Sequence, residues 1–401
     1  MNFKEKHRSL IAQGIADYEA PFFFYDIDGL SAHLKMMREQ TDPAIKLWYA
    51  CKANPLSAIL KSFLHHSYGI DVASQGELDH ALRCGFQTKD ILSTGPAKSR
   101  KYLKSLVEHE VDMIIIESVN QAIWLNEWAQ KLGKKPQALL RVQLIWQEGK
   151  SVLGGDEITP FGIDEFGWRG LTAADFPHID IQGFHVFQWG NILTVGQLRK
   201  IWFKITETIL ELAKIMQIPL NILDLGGGIG IPYTEEEKPV PYNQINDLLL
   251  ETKNHFSIKN IWMELGRYAV GEFGYYASQI IDRKNVRGRD LLILEGGINH
   301  IARPALTGQG FPCQVFRTSD APLKDFTVHG PLCTALDKLG SYKLPADVAE
   351  NDWLIFSQAG AYGFTESMPF FLCHNLPAEA IIENAELKTI RNIRTSSQWL
   401  V

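Results

Sequence analysis

Along the chain, short apolar runs rich in β-branched and aromatic residues alternate with longer stretches where apolar positions recur every three or four residues. The short runs are PFFFYD (21–26), IKLWYACK (45–52), YGIDVAS (68–74), DILSTG (90–95), DMIIIES (112–118), ALLRVQL (138–144), DIQGFHVF (180–187), NILDLGGG (221–228) and NIWMELGR (260–267). Between them lie helix-like segments such as LSAHLKMMREQ (30–40), QGELDHALRCG (75–85) and VGQLRKIWFKITETILELAKIM (195–216). Strands alternating with helices predict βαβ units around a parallel sheet. The eight runs between 45 and 267 are the number that closes a (β/α)8 barrel of ordinary size. After about residue 270 the texture changes: LLILEGG, CQVFR, FTVHGPLC and DWLIFSQAGAY are strand-like and separated by turns. That pattern predicts a mostly antiparallel β domain. The expected division is a barrel over 27–270, with 1–26 and 271–401 forming the β domain.

Composition narrows the class. The 401 residues carry 40 Lys+Arg against 46 Asp+Glu, a net charge of −6, which argues against a nucleic-acid binder driven by phosphate neutralisation. Hydrophobic residues make up 45%, enough for a large core and too many for disorder. No apolar run reaches the length of a membrane span. The start, MNFKEKHRSLIAQGIADYEA, lacks the apolar stretch of a secretory signal, so the expected compartment is the cytoplasm. The five cysteines are scattered without a CxxC, so neither a disulfide framework nor a zinc site is expected.

Five segments carry candidate chemistry. In YACKANP, Lys52 directly follows an apolar run, and the C-terminal ends of barrel strands are where active sites lie. A buried amine there has a lowered pKa and can bond to a carbonyl; the plainer alternative is a Lys whose stem packs while its head reaches water. In DLGGGIG, glycines let backbone N–H groups approach a phosphate, or simply make a tight turn. The segment is neither a P-loop nor a full dinucleotide fingerprint. In ELGRYAVG, Glu264 can face a ring nitrogen and Arg267 a phosphate, unless the two form a surface pair of little worth. HGPLCTALDKLG offers Cys333, Thr334 and Asp337, and QAGAYGF offers Tyr362; a packed Cys or Tyr is the commoner fate of each.

In this order the segments YACKANP, GIDVASQGEL, STGPAKS, LDLGGGIG, ELGRY, EGGINHIARPAL, GPLCTALD and AGAYGF resemble the fold-type III pyridoxal-phosphate decarboxylases, the group of diaminopimelate, ornithine and arginine decarboxylases. The resemblance runs from about residue 20 to 375. It implies a (β/α)8 barrel plus a β domain, pyridoxal 5'-phosphate as cofactor, no metal, and a head-to-tail homodimer with shared active sites. It also implies roles. Lys52 would hold the cofactor covalently. Gly227, Gly228, Gly266, Arg267 and Tyr362 would surround its phosphate. Glu264 would face the pyridine nitrogen, Asp71 would stand near Lys52, and Cys333 would arrive from the partner subunit as proton donor. A carboxylate at the ring nitrogen favours a decarboxylase over an amino-acid racemase.

The chain also departs from the family pattern. HVFQWGN (185–191) stands where diaminopimelate decarboxylases read HFHIGSQ: His185 matches, Phe187 takes the place of the ring-stacking His, and Gly190 that of a phosphate-binding Ser. ELGR has Leu265 where the family has Pro. Thr334 replaces the acidic residue that follows the Cys in ornithine and diaminopimelate decarboxylases. Thr334 cannot neutralise a distal ammonium, whereas a distal amine already in an amide suits a hydroxyl. The Cys-Thr pair and AGAYG resemble siderophore-pathway decarboxylases acting on citrate joined to a diamino acid. The implied substrate is N-citryl-ornithine, with citryl-diaminopropionate, free diaminopimelate or free ornithine as alternatives. Arg303 is the expected ligand of the citryl carboxylates, with His300 as a possible assistant. Keeping both Lys52 and Cys333 counts against a catalytically silent homologue.

Overall fold

The computed structural model describes residues 7–19, 21–144, 150–151, 154–155 and 158–400. Residues 1–6, part of the start examined for a secretory signal, lie outside them. The described chain forms two compact units. One comprises the described residues of 33–231 and 239–268; the other comprises the described residues of 1–32, 232–238 and 269–401.

The first unit is a closed barrel of eight parallel strands: β1 (Ile45–Ala50), β2 (Gly69–Val72), β3 (Ile91–Ser93), β4 (Met113–Ile116), β5 (Gln137–Gln143), β6 (Asp180–His185), β7 (Ile222–Asp224) and β8 (Asn260–Leu265). Each pairs with the next, and β8 returns to β1 to close the ring. These are the eight runs expected from the sequence. The helices between them begin where the chain supplies a side-chain cap. Ser74, Ser99, Ser118 and Thr194 accept the backbone N–H three residues on, opening Gln75–Cys84, Arg100–His109, Val119–Leu132 and Val195–Met216. The connection after β5 differs: the α-helix among its described residues is the short Glu165–Trp168, followed by the 3-10 turn Ala173–Asp175.

The barrel interior is a packed core, not a pore. Trp48, Leu92, Met113, Ile115, Leu139, Ile222 and Trp262 fill it. At the N-terminal end of the strands the Lys46 ammonium lies 4.0 Å from the Trp48 ring centroid and 5.0 Å from that of Trp262, and bonds Asp112 at 2.7 Å. That end is filled by aromatic surface and a neutralised cation, so the opposite, C-terminal rim is left for chemistry.

The second unit is built on a mostly antiparallel nine-stranded sheet. Its long central strand, Gly274–Val286, pairs antiparallel with Arg289–Leu294, Trp353–Phe356 and the N-terminal Phe22–Asp26. Phe22–Asp26 is buried throughout and also runs parallel to Ala378–Glu383. One face packs Phe22, Phe24, Tyr275, Ile355 and Ile382 together, with Phe24 stacked on Tyr275 at 4.7 Å. Among the described residues no helix is long and apolar enough to cross a membrane.

Candidate active site

Charged and polar side chains gather at the C-terminal ends of the barrel strands. Lys52 sits in the turn Cys51–Ala53 that follows β1. The turn is pinned from within: Tyr49 donates its hydroxyl to the Asn54 carbonyl at 2.8 Å and stacks on Phe63 at 3.7 Å. The Lys52 side chain is 45% exposed, so it is not the buried amine the sequence suggested. Its Nζ lies 4.0 Å from Asp71 Oδ2 and 5.9 Å from the Phe187 ring centroid.

Asp71, at the end of β2, is buried and accepts hydrogen bonds from the Thr94 N–H (3.2 Å) and hydroxyl (2.7 Å). Burial and the nearby Glu264 charge push its carboxyl up to about 7, against the pull of Lys52 and Thr94.

Glu264 on β8 accepts from His185 Nε2 at 3.0 Å, and both are buried. Burial alone would raise the Glu264 carboxyl. The His185 hydrogen bond and the Lys52 and Arg141 charges outweigh it and bring Glu264 down to about 2. Asp224 at the end of β7 goes the other way: burial and the Glu264 charge hold it well above the usual carboxylate range. The two neighbouring carboxyls are thus pushed in opposite directions, Glu264 down and Asp224 up, the separation that close acids adopt. Ligand atoms of His185, Asp224 and Glu264 all lie within 4.8 Å of one another, a spacing that suits a metal ion as well as a ring nitrogen.

The glycine run after β7 follows from close packing. Gly228 has φ +101°, and a Cβ there would stand 2.2 Å from the Trp189 carbonyl oxygen; one at Gly227 would stand 2.5 Å from that of Glu264. Close packing thus requires glycine at both positions, and the loop is pressed against the strand end that carries Glu264. Gly266 and Arg267 follow at the end of β8, both partly exposed.

Four participants were not singled out from the sequence. Lys98, fully buried, donates to the Gly95 carbonyl at 2.6 Å and lies 4.0 Å from Glu117; burial brings its amine down to about 8. Glu117 accepts from Arg141 (2.9 Å), Gly95 N–H (2.7 Å) and Gly162 N–H (3.0 Å), tying the loops after β3, β4 and β5 together. Asp224 is the fourth after Lys98, Glu117 and Arg141. The signal was available: a charged residue in or at the end of an apolar strand, as in ALLRVQL and NILDLGGG, is rare unless paired.

The remaining candidates lie in the second unit. Cys333 is exposed on a turn shaped by Asp337, whose carboxylate accepts from the Ile298 and Leu332 N–H groups at 2.8 and 2.7 Å. Thr334 follows it, half-buried, and its hydroxyl oxygen accepts from Leu336 N–H at 3.3 Å. Arg303 bonds Glu366 and lies over the Tyr362 ring. His300 does not reach outward: its ring nitrogens bond the Tyr276 hydroxyl (3.0 Å) and the Asn375 carbonyl (2.9 Å), and burial holds it neutral. The assisting role expected of His300 is not one it can take up while both nitrogens are engaged.

Residues 27–271 match the family described as "Pyridoxal-dependent decarboxylase, pyridoxal binding domain". The chain belongs to this family. It is an amino-acid decarboxylase that uses pyridoxal phosphate. It is 28% identical to an L-glutamyl-[BtrI acyl-carrier protein] decarboxylase of Niallia circulans, over 94% of this chain and 92% of that one. It is 29% identical to the 2-[(L-alanin-3-ylcarbamoyl)methyl]-2-hydroxybutanedioate decarboxylase of Staphylococcus aureus, over 88% and 92%. It is 27% identical to the diaminopimelate decarboxylase of Aquifex aeolicus, over 93% and 89%. The fold is also that of diaminopimelate decarboxylase from Helicobacter pylori, solved with L-lysine: TM-score 0.87 at 22% identity, covering 97% of this chain and 98% of that one.

The barrel rim of this decarboxylase fits its cofactor. An ionised, buried Glu264 suits a protonated ring nitrogen, and Lys52 offers an accessible amine beside it. His185 Nδ1 and Asp224 Oδ2 are buried without a hydrogen-bond partner among the described residues, as expected where a polar ligand belongs.

Proposed function

We propose that the protein decarboxylates an N-acylated diamino acid, with N-citryl-ornithine as the best match, in the assembly of a carboxylate siderophore. Thr334 carries this reading. The residue after Cys333 bears no charge, so it offers a distal ammonium no partner and a distal amide a hydroxyl. Two relatives point the same way by name. The S. aureus enzyme's substrate holds its alanine C3 nitrogen in a carbamoyl link to a hydroxybutanedioate, and the N. circulans enzyme's glutamyl group is carried on a protein. Neither name describes a free distal amine. The diaminopimelate decarboxylases, at 27% identity, keep a second reading in view: turnover of a free diamino acid.

When bound, pyridoxal phosphate supplies the sink for the electron pair left on Cα as CO2 departs. The chain's own groups would do the rest. Lys52 would anchor the cofactor through its amine. Gly227, Gly228, Gly266, Arg267 and Tyr362 would hold the phosphate. Phe187 would cover a ring face. Glu264, kept ionised by His185, would hold a proton on the ring nitrogen. Asp71 would balance the Lys52 charge. Cys333, from the partner subunit of a homodimer, would deliver a proton to Cα from Sγ. Arg303 would meet the distal carboxylates.

The test is CO2 release from citryl-ornithine, citryl-diaminopropionate, free ornithine, lysine and meso-diaminopimelate side by side. Citryl-ornithine is expected to have the highest kcat/KM. Thr334→Asp is expected to move the preference toward free ornithine; an unchanged preference would remove the basis of the substrate assignment.

A further inference from the structure

Arg303 opens the short helix Arg303–Thr307, followed at once by Pro304. Its Nη1 donates to both carboxylate oxygens of Glu366, at 2.9 and 3.3 Å. The guanidinium carbon lies 4.7 Å from the Tyr362 ring centroid, so an aromatic face supports the cation from one side. The two partners are held unequally. The Arg303 side chain is 15% exposed, whereas that of Glu366 is 35% exposed and rises from a single turn, Phe364–Glu366. If the pair opens, Glu366 is the partner that swings into water and Arg303 the one that stays.

We propose that Glu366 is a specificity-determining residue: it occupies one end of Arg303 in the resting protein and yields it to a substrate end that carries more than one carboxylate. This rests on the reading of Arg303 as the ligand of the distal carboxylates. Both contacts with Glu366 fall on Nη1, and the Nε–Nη2 edge is the fork that takes a carboxylate in two parallel bonds. A single incoming carboxylate would share the guanidinium with Glu366, two anions on one cation. A second carboxylate on the same molecule arrives at high effective concentration and displaces Glu366. Glu366 therefore handicaps monocarboxylate ends and spares polycarboxylate ones. A free ammonium end gains nothing either, because the Glu366 charge is spent on Arg303.

The experiment measures Kd on the full-length, pyridoxal-phosphate-loaded protein by calorimetry, with citrate and 3-hydroxybutyrate as probes, alongside KM and kcat for citryl-ornithine. Glu366→Gln keeps a hydrogen-bond acceptor but removes the competing charge. It is expected to tighten 3-hydroxybutyrate about two- to fivefold, the range of a partly exposed ion pair, and citrate by much less. Its KM for citryl-ornithine should fall modestly while kcat stays within about twofold. Glu366→Asp should restore the wild-type preference. Equal effects on both probes, or none, would overturn the inference. Arg303→Ala separates the two layers. If it weakens citrate binding while Glu366→Gln changes nothing, the inference alone falls. If it leaves citrate binding and the citryl-ornithine KM untouched, the reading of Arg303 falls and the role of Glu366 with it.

Discussion

Burial decides what His300 and Lys98 can do. His300 is enclosed with both ring nitrogens bonded, and desolvation brings it from 6.5 to about 4. The unfolded chain then takes up this proton before the folded one, so the stability His300 confers is complete above pH 6.5 and lost as pH falls toward 4. The whole effect amounts to about 3 kcal/mol. A His300→Gln variant is expected to be less stable at pH 8 but to show a flatter decline between pH 6.5 and 4, followed by urea denaturation. An unchanged acid slope would show that another group sets it. Lys98 follows the same sign in a higher window: its amine, brought down from 10.5 to about 8, makes the fold more stable as pH rises from about 8 toward 10.5. Lys52, the proposed anchor, is by contrast accessible, as a group that must meet an incoming aldehyde has to be.

At the scale of elements, each barrel strand or the turn after it carries a polar or charged side chain toward the C-terminal rim, and the loop after β7 shows how tightly these ends pack. Gly228→Ala would force a left-handed residue to carry a Cβ against the Trp189 carbonyl. The expected loss is about 2–4 kcal/mol by denaturant titration, together with weaker cofactor retention, because the backbone at Trp189 and the glycine loop must move apart. A loss under about 0.5 kcal/mol would show the loop relaxing without cost. The eight barrel strands were legible because fully buried parallel strands read as continuous apolar runs bounded by helix caps. The buried roles of Lys98, Glu117, Arg141 and Asp224 were not assigned, because no local pattern says which of several charged residues the closing barrel will bring together. Lys52 misled in the opposite direction: its apolar flank suggested burial, yet the turn Cys51–Ala53 carries it clear of the strand.

For the whole molecule, the proposal that Cys333 serves the partner's barrel has a plain consequence. Inactive Lys52→Ala and inactive Cys333→Ala proteins, mixed and allowed to re-associate, should recover about a quarter of wild-type activity, since half the dimers then carry one intact site. No recovery would place Cys333 in its own subunit's site. The fold class was legible as a whole, through the shift at about residue 270 from helix-separated strands to turn-separated ones. The partner-dependent chemistry was reached only through resemblance, because one chain's sequence does not state which surface meets another. The account stands on Lys52 as the anchor of pyridoxal phosphate. The most direct measurement is borohydride reduction of the loaded protein followed by peptide mass spectrometry. A pyridoxyl-phosphate label on the peptide carrying Lys52, absent from Lys52→Ala, is the predicted result. A label on another lysine, Lys98 foremost, or no label at all would contradict it.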